Sequence, residues 1–223
     1  MKCWASSVSE CCSTQSREHY ITKGLFKGKM LYVNNAPFLG GGSKQVSKAS
    51  LTKKCLCKKH NELLSIFDSE AIIFGQALEY ALNLSQERRN SKAKKFSVHR
   101  KTINFDKFSK WFIKTFLGLH DFFKYPSLFN EPYLANLVFS KNKITGHLNL
   151  NIEMSQNEEF AIEEIISIAP LERNEFTIGM QIELYGIRIN GVFNDKPNNL
   201  KHKPIKLKFN EHKQGLSCIV SIS

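Results

Sequence analysis

The amino-acid sequence predicts an α+β protein, and three patterns support this class. Apolar residues recur at helical spacing over residues 65–84 and again over residues 104–123, as on one face of an amphipathic helix. From about residue 134 they alternate with polar residues in steps of two, which is typical of strands with one buried face. Cysteine and histidine residues cluster ahead of the first helix. We therefore expect an N-terminal metal-stabilised module, followed by a helix packed on a mostly antiparallel β-sheet.

The N-terminal segment contains most of the cysteines of the chain. Five of the six cysteines lie within the first 57 residues: Cys3, Cys11, Cys12, Cys55 and Cys57. The opening residues M-K-C-W-A-S-S lack the apolar core of a signal peptide, and no apolar run approaches the roughly 20 residues that span a bilayer. We therefore expect a cytoplasmic protein without a membrane span, whose clustered reduced thiols hold a metal. The sixth cysteine, Cys218, is expected to be a small buried hydrophobe.

The unit C-x-C-x-x-H at residues 55–60 is the clearest candidate for half of a zinc site. Zinc in structural sites takes four ligands in a tetrahedron, commonly as two close pairs from separate parts of the chain. A thiol and an imidazole three residues apart at a helix start converge readily on one ion. The predicted zinc ligands are Cys3, Cys12, Cys57 and His60, with Cys11 or Cys55 as substitutes.

Around these cysteines the sequence predicts a loop and two helices. Residues 22–42 alternate basic, apolar and glycine residues, with a glycine stretch at residues 40–42, and are expected to form a loop. A short helix is predicted to begin near His60. A second helix is predicted from Ser65 to about Leu84, with Ser65 and Asp68 as its capping residues.

The chain is predicted to divide into three parts. Residues 1–84 form the metal-stabilised module, and residues 104–223 form a domain with an aromatic helix and a sheet. Between them, residues 85–103 are predicted to be a basic linker, because residues 85–101 hold seven cationic residues and one acidic residue. This linker is also a candidate phosphate-contacting arm.

The helix predicted over residues 104–123 has an unusually aromatic face. The stripe consists of Phe105, Phe108, Phe112, Phe116 and Leu119. Aromatic burial dominates core energetics, so this stripe is expected to pack on the sheet rather than bind a ligand. Lys107, Lys110 and Lys114 occupy the opposite, polar face of the same helix.

The second domain is predicted to be mainly strands. Alternation or apolar composition marks strands at residues 137–139, 144–152, 160–168, 176–184, 187–193, 205–209 and 217–222. This β-rich half is expected to recognise the substrate, to form a homodimer or to bind a partner protein.

Positive charge is concentrated in the first half of the chain. Residues 1–103 carry 18 Lys and Arg against 7 Asp and Glu, whereas residues 104–223 carry 14 against 13. A basic region beside a metal site favours a polyanionic partner, because neutralised phosphates release condensed counterions; a solubilising surface is the alternative interpretation. The predicted nucleic-acid contacts are Lys53, Lys54, Lys58, Lys59, Arg88 and Arg89.

Two segments of the N-terminal module resemble the HNH nucleases, the His-Me finger or ββα-metal group, and most closely their zinc-knuckled branch. The first is S-R-E-H-Y-I, which follows the early cysteines, and the second is L-C-K-K-H-N-E-L-L-S-x-x-D. The resemblance covers about residues 3–84 and implies a zinc-stabilised ββα-metal finger. The central asparagine of the HNH pattern has no clear match here.

The resemblance implies a role for five residues. His19 would be the general base that activates water, while Glu18 and Asn61 would bind a catalytic Mg²⁺ or Mn²⁺ ion. Cys57 and His60 would occupy the zinc positions that are usually two cysteines, although in a rival alignment His60 ligates the catalytic ion. An imidazole titrates near neutral pH, and carboxylate and amide oxygens suit magnesium, so the chemistry of these residue types agrees with the roles.

The expected function is therefore metal-dependent endonucleolytic cleavage of DNA, or of RNA, in defence, in a mobile element or as a toxin. One alternative is a non-catalytic zinc-dependent nucleic-acid-binding protein, in which Glu18 and His19 are only surface residues. Another is a protein-interaction module whose zinc stabilises a small fold.

Overall fold

The structure is a computed structural model that describes residues 3–40, 42–89, 97–144, 146–154, 165–194, 205–211 and 215–223. The described helices are α1 (Lys58–Leu63), α2 (Ser65–Arg89), α3 (Phe105–Leu119) and α4 (Glu131–Phe139). The described strands are β1 (Gln15–His19), β2 (Met30–Asn34), β3 (Ser43–Ser47), β4 (Thr52–Cys57), β5 (His99–Ile103), β6 (Leu148–Met154), β7 (Ile165–Arg173), β8 (Phe176–Leu184), β9 (Ile187–Phe193), β10 (Ile205–Glu211) and β11 (Gly215–Ile222). The predicted α+β class is confirmed.

The N-terminal hairpin is formed by β1 and β4, which pair antiparallel and lead directly into α1. Its register places Arg17 opposite Lys54, and Glu18 opposite Lys53. Because adjacent strand residues point to opposite faces, these two pairs occupy different faces of the hairpin. Glu18 is buried and Arg17 is exposed, in agreement with this alternation.

The chain between β1 and β4 is not the predicted loop throughout. Residues 30–34 form β2, which joins a six-stranded sheet in the order β3-β2-β7-β8-β9-β6. Its Leu31 and Val33 are buried while Met30 and Tyr32 are exposed. The loop expectation was wrong here because the period-two signal covers only five residues, between a glycine–lysine stretch at residues 27–29 and a turn-type stretch at residues 35–37.

Helix α3 lies between α2 and the six-stranded sheet, as its aromatic stripe predicted. On one side the rings of Phe74 and Phe108 are 4.7 Å apart, and on the other the rings of Phe116 and Phe193 are 4.8 Å apart. Gly191 permits the close approach of α3 to β9, because a Cβ atom there would lie 2.2 Å from Phe112 Cε1. A helix followed by a 3₁₀ turn at His120–Phe122 replaces the single helix predicted to residue 123.

Several predicted strands are confirmed, and two are corrected. Strands were expected at residues 176–184, 187–193, 205–209 and 217–222, and β8, β9, β10 and β11 lie there. The strand expected at 137–139 was wrong, because these residues end helix α4. Asn130 caps the start of α4 by accepting a hydrogen bond from Tyr133 N at 2.8 Å, and Pro132 lies in the first turn of the helix. The strand expected from residue 144 begins only at Leu148. Of the strand expected at 160–168, residues 160–164 lie outside the described part.

The predicted linker at 85–103 contains regular structure at both ends. Residues 85–89 continue α2, and His99–Ile103 form β5, which pairs parallel with β11. With β10 these strands make a three-stranded sheet, in the order β10-β11-β5, that packs on α2. The two described ends of this segment therefore belong to the fold and do not form a linker. Residues 90–96 lie outside the described part of the chain. Cys218 in β11 is fully buried, as predicted.

The described parts of residues 1–84 and 104–223 share one sheet and one core. Strand β2 pairs parallel with β7, and a single cluster of buried apolar residues runs through both parts. The sheets are mixed, since two of the pairings among described strands are parallel. None of the described helices is both long enough and apolar enough to cross a bilayer.

Candidate metal centre

Four side chains from three parts of the chain converge at the start of α1. They are Cys3, Cys11, Cys57 and His60, whose ligand atoms all lie within 4.8 Å of one another. His60 Nδ1 is 3.4 Å from Cys3 Sγ, 3.7 Å from Cys11 Sγ and 3.2 Å from Cys57 Sγ. With metal–sulfur and metal–nitrogen bonds of about 2.3 and about 2.1 Å, a tetrahedral ion separates such atoms by about 3.6 Å. The cluster is therefore compatible with a structural metal ion such as zinc.

Backbone hydrogen bonds hold the two halves of this cluster together. Trp4 N donates to Cys55 O at 3.2 Å, and Lys58 N donates to Thr14 O at 2.8 Å, so the N-terminal segment lies along the end of β4. Cys57 N donates to Cys3 Sγ at 3.4 Å. Hydrogen bonds from backbone amides stabilise the thiolate form that a metal requires.

His60 is oriented so that Nδ1 faces the three sulfur atoms. Its Nε2 lies 2.8 Å from Ser9 Oγ, and its ring contacts that of Phe139 at 5.4 Å between centroids. When the Nε2–H donates to Ser9, the lone pair of Nδ1 is left free for a metal, which is the usual arrangement around ligating histidines. Burial, and secondarily the charge of Lys59, lower the pKa of His60 and so favour its neutral, ligating form.

The thiols of the cluster differ in acidity. Burial by itself would raise the pKa of Cys57, but hydrogen bonds from the backbone of His60 and Cys12 outweigh it and lower the pKa to about 7. Burial and the neighbouring Cys3 and Cys57 raise the pKa of Cys11 to about 12. Three closely packed thiolates repel each other, and a divalent cation among them removes that repulsion.

The cluster uses Cys11 where the sequence analysis favoured Cys12. Cys12 Sγ lies beside the site, where it accepts a hydrogen bond from Lys59 N at 3.3 Å and is 3.5 Å from Thr14 O. Cys55, the other substitute, is buried near Glu18, and burial followed by that negative charge raises its pKa to about 11. No spacing rule distinguishes two adjacent cysteines, so the choice depends on the path of the backbone through residues 9–14.

Glu18, predicted to bind a catalytic divalent ion, forms an ion pair inside the protein. Its carboxylate contacts Lys114 Nζ, which also lies 2.6 Å from Asp68 Oδ1. Thr22 Oγ1 donates to Asp68, and Trp111 Nε1 donates to Thr22 Oγ1 at 2.9 Å. The side chain of Lys114 is 1% exposed and that of Asp68 is 25% exposed, so one buried ammonium group is shared between two carboxyl groups. Burial raises the pKa of Glu18, and the charge of Lys114 opposes this shift. Asp68 therefore belongs to this network instead of capping α2.

Asn61, the second predicted ligand of that ion, bonds to β1. Its Nδ2 donates to Ser16 Oγ at 2.8 Å and lies 3.4 Å from Arg17 O. Among the described residues, Glu18 and His19 do not belong to a metal-ligand cluster. A cation already occupies the Glu18 carboxylate, so these residues do not fit a bound Mg²⁺ or Mn²⁺ ion.

His19, the predicted general base, ends β1 and is half-buried. As the residue after Glu18, it lies on the opposite face of the hairpin strand from Glu18. Burial lowers the pKa of His19, and the positive charges of Lys114 and Lys23 lower it further. The imidazole is therefore neutral at pH 7 and able to accept a proton.

The buried lysines were missed by the sequence analysis. Lys110 and Lys114 lie on the face of α3 that was expected to be polar, yet both are buried. Lys110 Nζ reaches Ser140 O at 2.8 Å and Asp106 Oδ2 at 3.1 Å. The periodicity of α3 shows only which face is aromatic, and the acidic partners of Lys114 lie far away in the sequence.

The predicted nucleic-acid contacts differ in exposure and in their partners. Lys54, Lys58 and Lys59 are exposed. Of these, Lys58 Nζ lies 3.9 Å from Glu62 Oε1, and Lys59 Nζ donates to Glu10 O at 2.9 Å. Lys53 Nζ pairs with Asp121 Oδ2 at 2.6 Å. Arg88 is buried and donates to Ser97 O at 2.6 Å, which makes it a structural residue. The side chain of Arg89 lies outside the described part of the chain.

Comparison with known proteins identifies no relative of this chain: no family model matches it, and neither a curated protein nor a solved structure is significantly similar to it. The resemblance to HNH nucleases therefore stays a prediction.

Proposed function

We propose that this chain is a zinc-stabilised nucleic-acid-binding protein, and that the exposed face of the β1–β4 hairpin is its phosphate-binding surface. The observation that carries the proposal is the direct opposition of Arg17 and Lys54 across the two strands, with both side chains exposed. Like charges directly opposite each other destabilise a strand pair. A bound phosphate backbone would convert this repulsion into attraction.

Neighbouring groups extend the same surface. Arg17 Nη1 donates to Thr52 Oγ1 at 3.3 Å, which holds the guanidinium group along the hairpin. Thr52 is also the cross-strand partner of His19. Lys58 and Lys59 continue the positive charge on the first turn of α1. Cationic side chains in this arrangement suit phosphate groups of DNA or RNA without reading their sequence.

A zinc ion would stabilise this surface by linking strand β4 to helix α1. Cys57 ends β4 and His60 lies in α1, so a metal held by both would fix the angle between the hairpin and the helix. The order β1, β4, α1 is also that of a ββα-metal finger, which supports the resemblance to HNH proteins. The proposed assignment of the ion is zinc because three thiolates and one imidazole are typical zinc ligands.

The phosphate-binding surface is tested by the double substitution Arg17→Glu/Lys54→Glu. We expect weaker binding to labelled duplex DNA and to structured RNA, with a salt slope that is shallower by about 1 for every phosphate that the variant no longer neutralises. Fluorescence anisotropy over a salt titration measures both quantities. The matched control is Lys141→Glu/Lys143→Glu, which makes the same change of charge at two exposed lysines after α4.

The proposal fails if wild-type protein binds neither nucleic acid at low salt. It also fails if the hairpin variant and the control variant weaken binding equally, because the effect would then reflect net charge alone.

Phosphodiester cleavage is the second candidate function, and the observation that favours it is His19. Its imidazole is neutral at pH 7 and half-buried, and strand alternation places it on the same face of β1 as Arg17. A base in that position could remove a proton from water next to a bound phosphate. Glu18 would not assist directly, since it is paired with Lys114.

Cleavage predicts that wild-type protein nicks supercoiled plasmid and that His19→Ala lowers the rate by about 100-fold or more. Gel electrophoresis with and without added Mg²⁺ or Mn²⁺ measures the nicked fraction. His99→Ala is a suitable control, because His99 lies in β5 and contacts Tyr80 rather than the hairpin. Equal nicking by wild type and His19→Ala would exclude His19 as the base, and no nicking by the wild type would leave binding as the function.

A further inference from the structure

The three-stranded sheet β10-β11-β5 has one apolar face and one polar face. Its apolar face packs on α2 and buries Leu207, Phe209, Val220, Ile222 and Ile103. Side chains alternate along each strand, so the residues between these point away from α2. No sequence pattern singled out this second face, because its residues come from two distant segments.

The strand register places three cations on that outer face. Lys208 is paired with Ile219 on β11, and Ile219 is paired with Arg100 on β5. One step further along, Lys206 is paired with Ser221, which is paired with Thr102. Paired residues share a face of the sheet, and the side chains of Lys206, Lys208, Arg100 and Thr102 are all exposed. The outer face thus presents Lys206, Lys208 and Arg100 together.

None of the ion pairs within 4.0 Å among the described residues involves Arg100, Lys206 or Lys208. The residues between them are Ile219, Ser221 and Thr102. The six-stranded sheet differs in this respect: Arg188 on its outer face lies 3.4 Å from Glu183 Oε2 and 3.8 Å from Glu153 Oε1. The three cations on the outer face are therefore not held in ion pairs with described acidic side chains.

We infer that the outer face of the three-stranded sheet, defined by Arg100, Lys206 and Lys208, is a second phosphate-contacting surface for nucleic acid. This inference rests on the proposed function, because a chain that binds nucleic acid at one surface gains affinity from a second. Residues two apart on a strand are separated by about 7 Å and residues two strands apart by about 10 Å. A nucleic-acid strand carries one charge per about 3.4 Å of helix axis, so three such cations span two to three phosphates.

A nucleic acid fits this face better than an anionic lipid surface does. Membrane-surface elements combine basic residues with Trp, Phe or Leu side chains that enter the headgroup region. The described outer face holds no such anchor: Ile219 is partly covered, and the exposed Val98 precedes β5. Phosphate contacts alone need no apolar anchor.

The test compares Lys206→Glu/Lys208→Glu with wild-type protein, with the hairpin variant Arg17→Glu/Lys54→Glu and with the control Lys141→Glu/Lys143→Glu. Binding to duplex DNA is followed by anisotropy over a salt titration. We expect the sheet variant to weaken binding beyond the control and to reduce the salt slope by about 1.8, as two B-DNA phosphates are then no longer neutralised. Far-ultraviolet circular dichroism and the thermal unfolding midpoint verify that each variant is folded.

The outcomes separate this inference from the proposed function. A sheet variant that binds like the control overturns the second surface, while a weakened hairpin variant in the same experiment keeps the first. A weakened sheet variant beside an unaffected hairpin variant supports the second surface and removes the hairpin from the proposal. A last experiment measures co-sedimentation of the protein with phosphatidylserine vesicles. If the sheet variant loses vesicle binding while its DNA binding is unchanged, the inference is overturned and the outer face contacts a membrane instead.

Discussion

Cys11→Ser is expected to abolish metal binding, whereas Cys12→Ser is expected to leave about one zinc ion per chain. The sulfur of Cys11 belongs to the four-ligand cluster, and that of the adjacent Cys12 lies beside it against Lys59 N. Cys57→Ser should behave like Cys11→Ser. Structural zinc contributes an apparent binding free energy of about 10–16 kcal/mol in zinc-finger peptides at pH 7. Its loss should therefore release the N-terminal segment from the end of β4.

Two measurements check this prediction. Elemental analysis of purified protein gives the zinc content of each variant. Tryptophan emission reports the environments of Trp4 and Trp111, of which Trp4, 3% exposed and packed against Phe139, is next to the ligand Cys3 in the sequence. We expect a red shift of the emission in Cys11→Ser and in chelated wild-type protein, and none in Cys12→Ser. Equal zinc content in the Cys11 and Cys12 variants would contradict the assignment, as would a wild-type protein that is folded without metal.

Lys114→Ala is expected to lower the free energy of unfolding by about 3–5 kcal/mol, the usual cost of removing one partner of a buried ion pair. The ammonium group of Lys114 lies between the carboxylates of Glu18 and Asp68, and the first of these is buried. Without the cation, the buried carboxyl group of Glu18 loses its partner and is left beside the negative charge of Asp68. Urea unfolding followed by circular dichroism measures the change.

The matched control is Lys53→Ala. Lys53 pairs with Asp121 at the same N–O distance of 2.6 Å as Lys114 with Asp68, but its side chain is 25% exposed. A pair of this kind contributes about 0–1 kcal/mol. Glu18→Gln combined with Lys114→Met should recover part of the stability lost in Lys114→Met alone, because no buried charge is then left at Glu18. If Lys114→Ala costs no more than Lys53→Ala, the network does not stabilise the fold.

Local sequence patterns were sufficient to predict the long helices and strands and two of the four residues of the metal centre. The periodicity of α2 and α3 and the alternation in β8 and β9 each extend over many residues, so a single misplaced residue does not hide them. Cys57 and His60 lie three residues apart and are brought together by the start of α1 alone. No long-range information was needed in these cases.

Features that depend on tertiary structure were not predictable in the same way. The choice between Cys11 and Cys12 is made by the path of a segment without regular structure. The burial of Lys114 depends on Glu18 and Asp68, which lie 96 and 46 residues away in the sequence. Glu18 is an acidic residue at the position where the HNH pattern predicts a metal ligand. Its carboxyl group is paired with Lys114, which lies outside the motif.

The insertion of β2 and β3 between the two strands of the hairpin affects how cooperatively the chain unfolds. Because β2 leaves the metal-bearing region and pairs with β7, the buried side chains of Leu31 and Val33 depend on residues far along the chain. A fragment that ended before α3 would carry those apolar side chains and an open strand edge into water. We therefore expect the metal-bearing region and the six-stranded sheet to unfold together, because each buries apolar side chains of the other.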